Sequence, residues 1–469
     1  MLKYLLLLVV FASALFPLDL KVMAGGDAPL YKERSIKIFD QWIELTVVRY
    51  NQNGVHGPWD DEFVKLLRYC CSIVAGAPDD MSEDAALLLN RRIIATGECH
   101  DPLVYWVEWL LSSDEAARLV SGWRALEAFD ADVKARPNVQ RYPRILEAMV
   151  AAALLGRYGS NLDAGSQQKA MSLVQRIADS MGHSIRHREC EIFPAVWISR
   201  VHDFSLNDRS FGEPIRVAID EAVADAKLDV WVGDALRGTI RIANAWAWRG
   251  TDWAHNVTEE GFSNFAKNLN EADRFLTASW KANPKDPLAA AYACIVARAG
   301  HSSTPMDVWL LRASKACFDH SEAFKGALNF MLPRWGGSYE AMLALGCDSA
   351  DTGRFDTQVP WRLMVAAGNA IVDAGELNQD DELRRAMAHP RVAATIDACL
   401  DGYAKLNPSQ AKRYACLRAA LHWWGGRDER ARSALAGISE EDLDEQVATG
   451  FRADLKAIKN GRNSSVDGF

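Results

Sequence analysis

The chain has 469 residues, of which 49% are hydrophobic and 25% charged, with a formal net charge of −9 at pH 7. This composition supplies ample material for a packed core and excludes a largely disordered chain. The acidic balance argues against sequence-independent binding to nucleic acid, which requires a basic surface.

The first 24 residues predict a secretory signal peptide. Lys3 precedes an apolar run from Tyr4 to Leu18, and small residues leading to Ala24 suit signal peptidase. Because a membrane span needs about 20 apolar residues, the run is short for an anchor. We therefore expect cleavage after Ala24 and an exported protein, periplasmic or extracellular, with no later membrane span. An uncleaved anchor is the alternative.

The part of the chain that follows, to about Ser180, predicts only helices joined by short polar breaks. In the segment SIKIFDQWIELTVVRY, helical spacing would place Ile36, Phe39, Ile43 and Val47 on one apolar face. Alternating β-branched runs between tight turns, which would indicate strands, are nearly absent.

Several polar residues mark the beginnings of these helices. Asp60 and Asp61 fall in a first turn, where carboxylates suit the helix dipole, and Ser82 is placed to cap the next helix. Asp101 precedes Pro102, a pairing typical of a helix start. We therefore interpret the Cys-His-Asp run that ends at Asp101 as a helix start rather than a ligand cluster.

A pair of histidines lies in the least regular part of the chain, residues 181–214. His183 and His187 are four residues apart, so a helix would place both imidazoles on one face, as some metal sites require. Glu189, Cys190 and Glu191 are nearby ligand types, but the glutamate of a hydrolytic zinc motif is missing and Pro194 makes the helix uncertain. We favour a solvated polar stretch and predict no metal and no cofactor.

Two segments carry the spacing of the second helix of a tetratricopeptide-type helical pair, with intervals of four, three and five residues. The positions are Ala272, Leu276, Ser279 and Pro284 in the first segment, and Ile396, Leu400, Tyr403 and Pro408 in the second. Such pairs stack and bury a continuous core between neighbours. The sequence therefore predicts an all-α fold, a tetratricopeptide-like helical-hairpin solenoid with degenerate repeats.

Several motifs in this part of the chain resemble a family of exported or uncharacterised bacterial proteins that share a domain of unknown function. They are AWAWRGTDWAHNVTEEGFSNF, the Asp286-Pro287 dipeptide and LPRWGGSYEAML, and GECHDPLVYW is similar to a further family segment. The resemblance covers roughly residues 90–350 and implies a tetratricopeptide-like region. It brings no activity, substrate or catalytic residue, and Glu98 to His100 depart from the family's form.

These patterns predict five divisions of the chain. The signal peptide, 1–24, precedes an N-terminal helical region, 25–205, and the tetratricopeptide-like region that carries the resemblance, 206–355. A C-terminal helical repeat region, 356–459, is followed by a polar, flexible tail, 460–469.

The segment PRWGGS, residues 333–338, is the sharpest local signal. Its proline and two glycines predict a turn with unusual dihedral angles, and Ser338 is placed to cap the helix that follows. That structural role accounts for the segment by itself. The functional alternative makes Arg334 and Trp335 a partner contact, since both residue types are enriched at binding hot spots.

The chain contains nine cysteines and sixteen tryptophans. No CxxC occurs, and we expect most thiols to be free and buried; Cys399 and Cys416 are the pair to test for a disulfide. We expect the tryptophans to be mostly core. Exposed tryptophans beside paired carboxylates would instead indicate a sugar-binding groove; the carboxylates considered are Asp60 with Asp61, and Asp252 with Glu259 and Glu260.

No pattern in the chain identifies a catalytic residue. From architecture alone, the hypothesis is an uncharacterised helical-repeat scaffold of the cell envelope that binds a protein or peptide partner. The alternative is a Trp-rich α/α carbohydrate-active enzyme or glycan-binding protein. The identity of the partner and the oligomeric state are left open.

Overall fold

The computed structural model describes residues 28–75, 80–136, 141–158, 163–203, 209–250 and 256–461. The predicted signal peptide and nearly all of the predicted tail lie outside these residues. Within the described ranges all regular elements are helices and none is a strand. No helix in them has both the length and the apolar character needed to cross a bilayer.

The described residues form two compact units, which we call the N-terminal unit, Leu30–Ala289, and the C-terminal unit, from Ala290 onward. Pro29 belongs to the C-terminal unit, where its carbonyl accepts a hydrogen bond from the Phe318 N–H at 2.9 Å. The predicted divisions at residues 205 and 355 stay predictions.

The helices of the N-terminal unit follow one another with short connections. They are α1 (Tyr31–Ile43), a π-helix (Glu44–Val48), α2 (Arg49–Asn53), α3 (Asp60–Ala75), α4 (Glu83–Ala95), α5 (Pro102–Leu111), α6 (Glu115–Ala135), α7 (Ile145–Leu155), α8 (Ala164–Arg186), α9 (Glu189–Ile192), α10 (Pro194–Asp203), α11 (Arg209–Ala226), α12 (Val230–Arg249) and α13 (Glu259–Ala282).

The remaining helices are shorter on average and include three 3₁₀ turns. They are α14 (Leu288–Arg298), α15 (Met306–Ala316), α16 (Ser321–Phe330), a 3₁₀ turn (Pro333–Trp335), α17 (Tyr339–Ala350), α18 (Arg362–Leu377), α19 (Asp380–Met387), α20 (Pro390–Leu406), a 3₁₀ turn (Pro408–Gln410), α21 (Ala411–Trp424), α22 (Asp428–Ala434), a 3₁₀ turn (Glu440–Asp442), α23 (Glu445–Gly450) and α24 (Leu455–Lys459).

The most extensive helix pair in the N-terminal unit is the hairpin of α12 and α13. Ala272, Leu276 and Ser279 of the predicted signature are buried, and the Ser279 hydroxyl donates to the Trp231 carbonyl at 2.7 Å. Gly238 is required at the contact, because a Cβ there would lie 2.6 Å from Leu276 Cγ. The small–large–small pattern thus lets two helices approach closely.

The second signature lies on α20 and is buried in the same way. Ile396, Leu400 and Tyr403 are core residues of the C-terminal unit. The Tyr403 hydroxyl donates to the Thr357 carbonyl at 2.8 Å and accepts from the Trp361 N–H at 3.1 Å. The predicted fold class, all-α with tetratricopeptide-like helical hairpins, is confirmed.

The predicted apolar face of the first helix is wrong at its beginning. Ile36 is 56% exposed, whereas Trp42 and Thr46 are buried. Val47, in the π-helix that continues α1, is buried as predicted. Ser35, not Ile36, faces the core.

All nine cysteines are free and buried, so the expectation for most of them is confirmed and the suggested bond between Cys399 and Cys416 is wrong. The Cys399 thiol donates instead to the Pro360 carbonyl at 3.3 Å. Burial raises the pKa of Cys399 to about 12 and that of Cys99 to about 11, so both are thiols at neutral pH.

Candidate functional site

The PRWGGS segment forms the predicted turn between α16 and α17. Gly336 adopts φ +80°, a left-handed conformation that favours glycine, and a Cβ on Gly337 would lie 1.9 Å from the Met331 carbonyl oxygen. Ser338 caps α17 by accepting from the Ala341 N–H at 3.1 Å. The predicted turn and cap are therefore confirmed.

Arg334 is ion-paired within this unit. Its guanidinium donates to the carboxylates of Asp373 and Glu376, both on α18. Asp373 is only 1% exposed and also accepts from the Tyr339 hydroxyl at 3.1 Å, which contributes, after burial, to raising the pKa of Tyr339. Trp335 beside it is half-buried. A partner contact at Arg334 and Trp335 stays a prediction.

A second polar cluster surrounds Asp101 in the N-terminal unit. Asp101 is fully buried and caps α5, as predicted, by accepting from the Leu103 N–H at 3.0 Å. Its other oxygen accepts from the Val55 N–H at 3.0 Å and the Tyr142 hydroxyl at 2.7 Å. Arg141, 2% exposed, lies 3.5 Å from Asp101 and 2.9 Å from Asp132, and burial raises the pKa of Asp101 although these hydrogen bonds and Arg141 oppose it.

The cluster continues to the surface through Tyr50. The Tyr50 hydroxyl shares its single proton between two acceptors, the Val55 carbonyl at 2.9 Å and the Asp60 carboxylate at 2.7 Å. His56 lies 3.0 Å from the same carboxylate. Burial acts to raise the pKa of Asp60, but the hydrogen bonds from Tyr50 and the Gly57 N–H, together with His56, lower it below its ordinary value. These contacts join α2, α3 and α5. We assign this cluster a structural role, because each of its carboxylates already accepts hydrogen bonds within the chain.

An open groove lies between α8 and α11. Its cavity volume is 680 Å³, within the range of ligand-binding clefts. One wall presents Asp179, His183 and His187 at successive helical turns of α8 and its C-terminus. The facing wall presents three side chains of α11 with the same four-residue spacing: Glu213, Val217 and Glu221.

The two histidines lie against each other at this groove. Their ring centroids are 4.1 Å apart and the ring planes are tilted by 37°. Partial burial, followed by the proximity of His187, lowers the pKa of His183 to about 4, so that imidazole is neutral at pH 7. α8 continues to Arg186, so the four-residue spacing brings the two imidazoles together, whereas the favoured expectation was a solvated polar stretch.

Metal ligation by the histidines would need further ligands. Among the described residues no group of three or more histidine, cysteine, aspartate or glutamate side chains could hold a metal ion. Glu189 and Cys190 are buried, Glu191 accepts from the Asp229 N–H at 2.6 Å, and none of these three ligand types lines the groove. Two adjacent imidazoles with carboxylates nearby are instead suited to hydrogen bonding.

The acidic side chains at the groove outnumber the basic side chains that could pair with them. Arg186 is paired with Asp225 at 3.3 Å, and Glu213 is paired with Arg216. Asp179 accepts a hydrogen bond from Gln175 at 2.9 Å, whereas Glu221 is exposed. Within the described part of the chain neither Asp179 nor Glu221 has an ion-pair partner, so the groove carries excess negative charge.

The tryptophans and carboxylates considered for sugar chemistry do not meet in this groove. The described residues that line it include no tryptophan. Most of the tryptophans with assigned burial lie in the core; five are fully buried, namely Trp42, Trp106, Trp197, Trp309 and Trp424. Asp252 of the proposed acid pair lies outside the described residues, while Glu259 and Glu260 occupy the first turn of α13.

Sequence reasoning found the histidine half of the groove but missed the α11 half. The four-residue spacing of Glu213, Val217 and Glu221 was the available signal. It is the spacing of any amphipathic helix, so the sequence does not distinguish a helix face that lines a groove from one that faces solvent. No family model, curated protein or solved structure matches the chain.

Proposed function

We propose that the protein is a scaffold that binds a protein or peptide partner, and that the partner docks in the groove between α8 and α11. The observation that carries the proposal is the groove itself, a 680 Å³ cleft between two helices. Two parallel stripes of side chains at successive turns present a linear surface, which suits an extended or helical segment better than a compact metabolite.

The chemistry of the walls supports a peptide. Val217 is 38% exposed at the middle of one wall, with carboxylates one turn away on either side. The opposite wall offers imidazole nitrogens as hydrogen-bond donors and acceptors. An apolar centre with a polar rim is the usual arrangement of a protein-binding surface.

The carbohydrate alternative has less support. Sugar-binding grooves use exposed aromatic faces, and the fully buried tryptophans of this chain pack within its core. The carboxylate of Asp60 is engaged by Tyr50 and His56 rather than open to a substrate.

Two further parts of the proposal come from the sequence. The apolar N-terminal segment supports export to the cell envelope, where the partner would be found. The AWAWRG and PRWGGS segments support membership of the bacterial family with the domain of unknown function.

The proposal is tested by affinity capture from cell-envelope extracts, followed by direct binding of each purified candidate. The test variant is Val217→Arg, which fills the groove with a long side chain at an exposed position. Its matched control is Val120→Arg, which changes a 59% exposed valine on α6, away from the groove. Circular dichroism first establishes that both variants are folded.

Support would be a discrete protein or peptide that binds the purified chain and the control but binds Val217→Arg at least tenfold more weakly. Equal binding to both variants would show that the partner docks outside the groove between α8 and α11. Recovery of glycan fragments in place of any protein would overturn the scaffold proposal.

A further inference from the structure

We infer that His422 acts as a pH-sensitive switch in the C-terminal unit. While its imidazole is neutral, it holds the turn between α21 and α22 against the end of α19, and protonation of the imidazole releases that turn. None of the residues involved lines the groove between α8 and α11, so the switch is independent of the proposed function. Three observations support it: the fixed tautomer of a buried histidine, an arginine that links this histidine to α19, and the charges that surround it.

The tautomer of His422 is fixed by its two hydrogen-bond partners. The residue is only 1% exposed, so its ring is closed off from bulk water. Its Nδ1 lies 2.9 Å from Arg427 Nε, and because a guanidinium can only donate, Nδ1 must accept. The proton of the neutral ring is therefore on Nε2, which donates to the Asp397 carboxylate on α20 at 2.8 Å.

Arg427 links the imidazole to a second helix. Its Nη1 donates to the carbonyl of Met387, the last residue of α19, at 2.8 Å. Gly425 permits this arrangement, because a Cβ at that position would clash with the Arg427 guanidinium. Gly426 completes the turn in a left-handed conformation, with φ +67°. One arginine side chain thus connects His422, the turn and the end of α19.

A second proton on the imidazole breaks this link. Once Nδ1 carries a hydrogen it faces the Nε–H of Arg427, so two donors on two cations would stand 2.9 Å apart. The bond to Asp397 survives, because Nε2 remains a donor. Arg427 is therefore the group that must move, and its departure also removes the bond to the Met387 carbonyl.

The charged groups around His422 come from the helices packed on α21. They are the anion Asp397 on α20 and the cations Arg384 on α19, Arg418 on α21, Arg427 at the turn and Arg430 on α22. Arg418 and Arg430 lie 3.3 Å and 3.6 Å from the Asp397 carboxylate, while Arg384 stands over the ring of Trp423.

The two other helices packed on α21, α23 and α24, direct charges elsewhere. Asp444, the N-cap of α23, contacts Arg413 in the first turn of α21, and Lys459 of α24 donates to the Ile438 carbonyl. Cations therefore outnumber the single carboxylate that His422 contacts.

These surroundings decide the pH at which the turn is released. Burial has the largest influence on the pKa of His422 and lowers it; Asp397 acts to raise the pKa, whereas Arg427 and Arg430 lower it further, and the result lies below the ordinary value of 6.5. Stability contributed by the neutral imidazole is therefore fully present above pH 6.5 and is lost as the pH falls through the folded pKa. The switch holds the turn at neutral pH and releases it in acid.

The test measures hydrogen–deuterium exchange of the full chain, read by mass spectrometry on peptides from residues 425–435. Exchange is compared at about pH 7 and about pH 5 after correction for the intrinsic rates. In His422→Asn the side-chain oxygen can still accept from Arg427 but cannot be protonated in this range. Arg427→Gln removes the cation, and His100→Asn makes the matched change at an exposed histidine. Circular dichroism first establishes that each variant is folded.

In the original chain and in His100→Asn, these peptides should exchange roughly tenfold faster at the lower pH. His422→Asn should show little of this difference, and Arg427→Gln should exchange rapidly at both pH values. Nuclear magnetic resonance of ¹⁵N-labelled histidine at neutral pH should place the proton of His422 on Nε2, with the signal assigned by its absence from His422→Asn.

Two results of the exchange measurement would overturn the inference: the same pH dependence in His422→Asn as in the original chain, or a loss of protection in acid that spreads evenly over the whole chain. A proton on Nδ1 of His422 at neutral pH would overturn it as well. If His422→Asn does not fold, Arg427→Gln decides, because a pH dependence that persists without the arginine contradicts the switch.

Discussion

The guanidinium of Arg334 is paired with the carboxylate of Asp373, although the two residues are 39 positions apart in the sequence. Asp373 is buried on α18, and Arg334 reaches it from the turn before α17. The most conspicuous arginine of the PRWGGS segment therefore ties a turn to a later helix of the same unit.

We expect Arg334→Ala to lower the free energy of unfolding by about 2–4 kcal/mol, because it leaves the Asp373 charge buried without its cation. Chemical denaturation followed by circular dichroism measures this. The double variant Arg334→Met with Asp373→Leu should recover part of the loss, since replacing both members of a buried pair costs less than removing one.

The same variant separates the two interpretations of the segment. If Arg334→Ala unfolds at the same denaturant concentration as the original chain but loses a bound partner, the residue is a surface contact. A large loss of stability with unchanged partner binding would assign it to the fold.

Asp101 offers a second stability test, because its carboxylate accepts hydrogen bonds from three donors. We expect Asp101→Ala to cost about 3 kcal/mol, since it removes the acceptor of three hydrogen bonds, from Leu103, Val55 and Tyr142, and leaves the buried Arg141 with Asp132 as its ion-pair partner. Ser82→Ala, which removes an exposed cap bond on α4, should cost only about 1 kcal/mol.

Tyr142→Phe isolates one bond of the Asp101 cluster and should cost about 1 kcal/mol. All three variants are compared by urea denaturation at a single pH. Equal losses for Asp101→Ala and Ser82→Ala would show that Asp101 is an ordinary helix cap rather than a junction of α2, α5 and Tyr142.

His183 should make stability depend on pH. Its folded pKa is about 4, below the ordinary value of 6.5, so the unfolded chain takes up a proton first as the pH falls. Stability contributed by the neutral imidazole is present above pH 6.5 and is lost progressively between pH 6.5 and about pH 4.

Thermal unfolding of His183→Gln, compared with the original chain across this range, checks the prediction. The difference in melting temperature between the two proteins should shift in favour of the variant as the pH falls. His100→Gln, at an exposed histidine before α5, serves as a control for general effects of acid. Parallel curves for the original chain and His183→Gln would contradict the prediction.

Local patterns predicted much of this fold, because they act within a few residues. The caps at Ser82, Asp101 and Ser338 and the two four–three–five signatures depend on nearby positions, and the structure confirms them. The burial of Ile36 was predicted wrongly because helical spacing alone does not distinguish the row of Ser35 and Trp42, which is buried, from the adjacent row that begins at Ile36.

The partners of the charged groups could not be predicted from the sequence. Arg334 has several acidic residues within reach along the chain, and only folding brings Asp373 and Glu376 to it. The groove illustrates the same limit. One wall was visible as a histidine pair, whereas the wall that faces it depends on how α11 packs against α8.

The close contact of Gly238 with Leu276 has a consequence for the evolution of this chain. With no space for a Cβ at residue 238, a larger side chain there requires a smaller one at residue 276, or the α12–α13 hairpin must separate. The two positions are therefore constrained to change together. In related chains that keep this hairpin, a substitution at one should be accompanied by a compensating change in volume at the other.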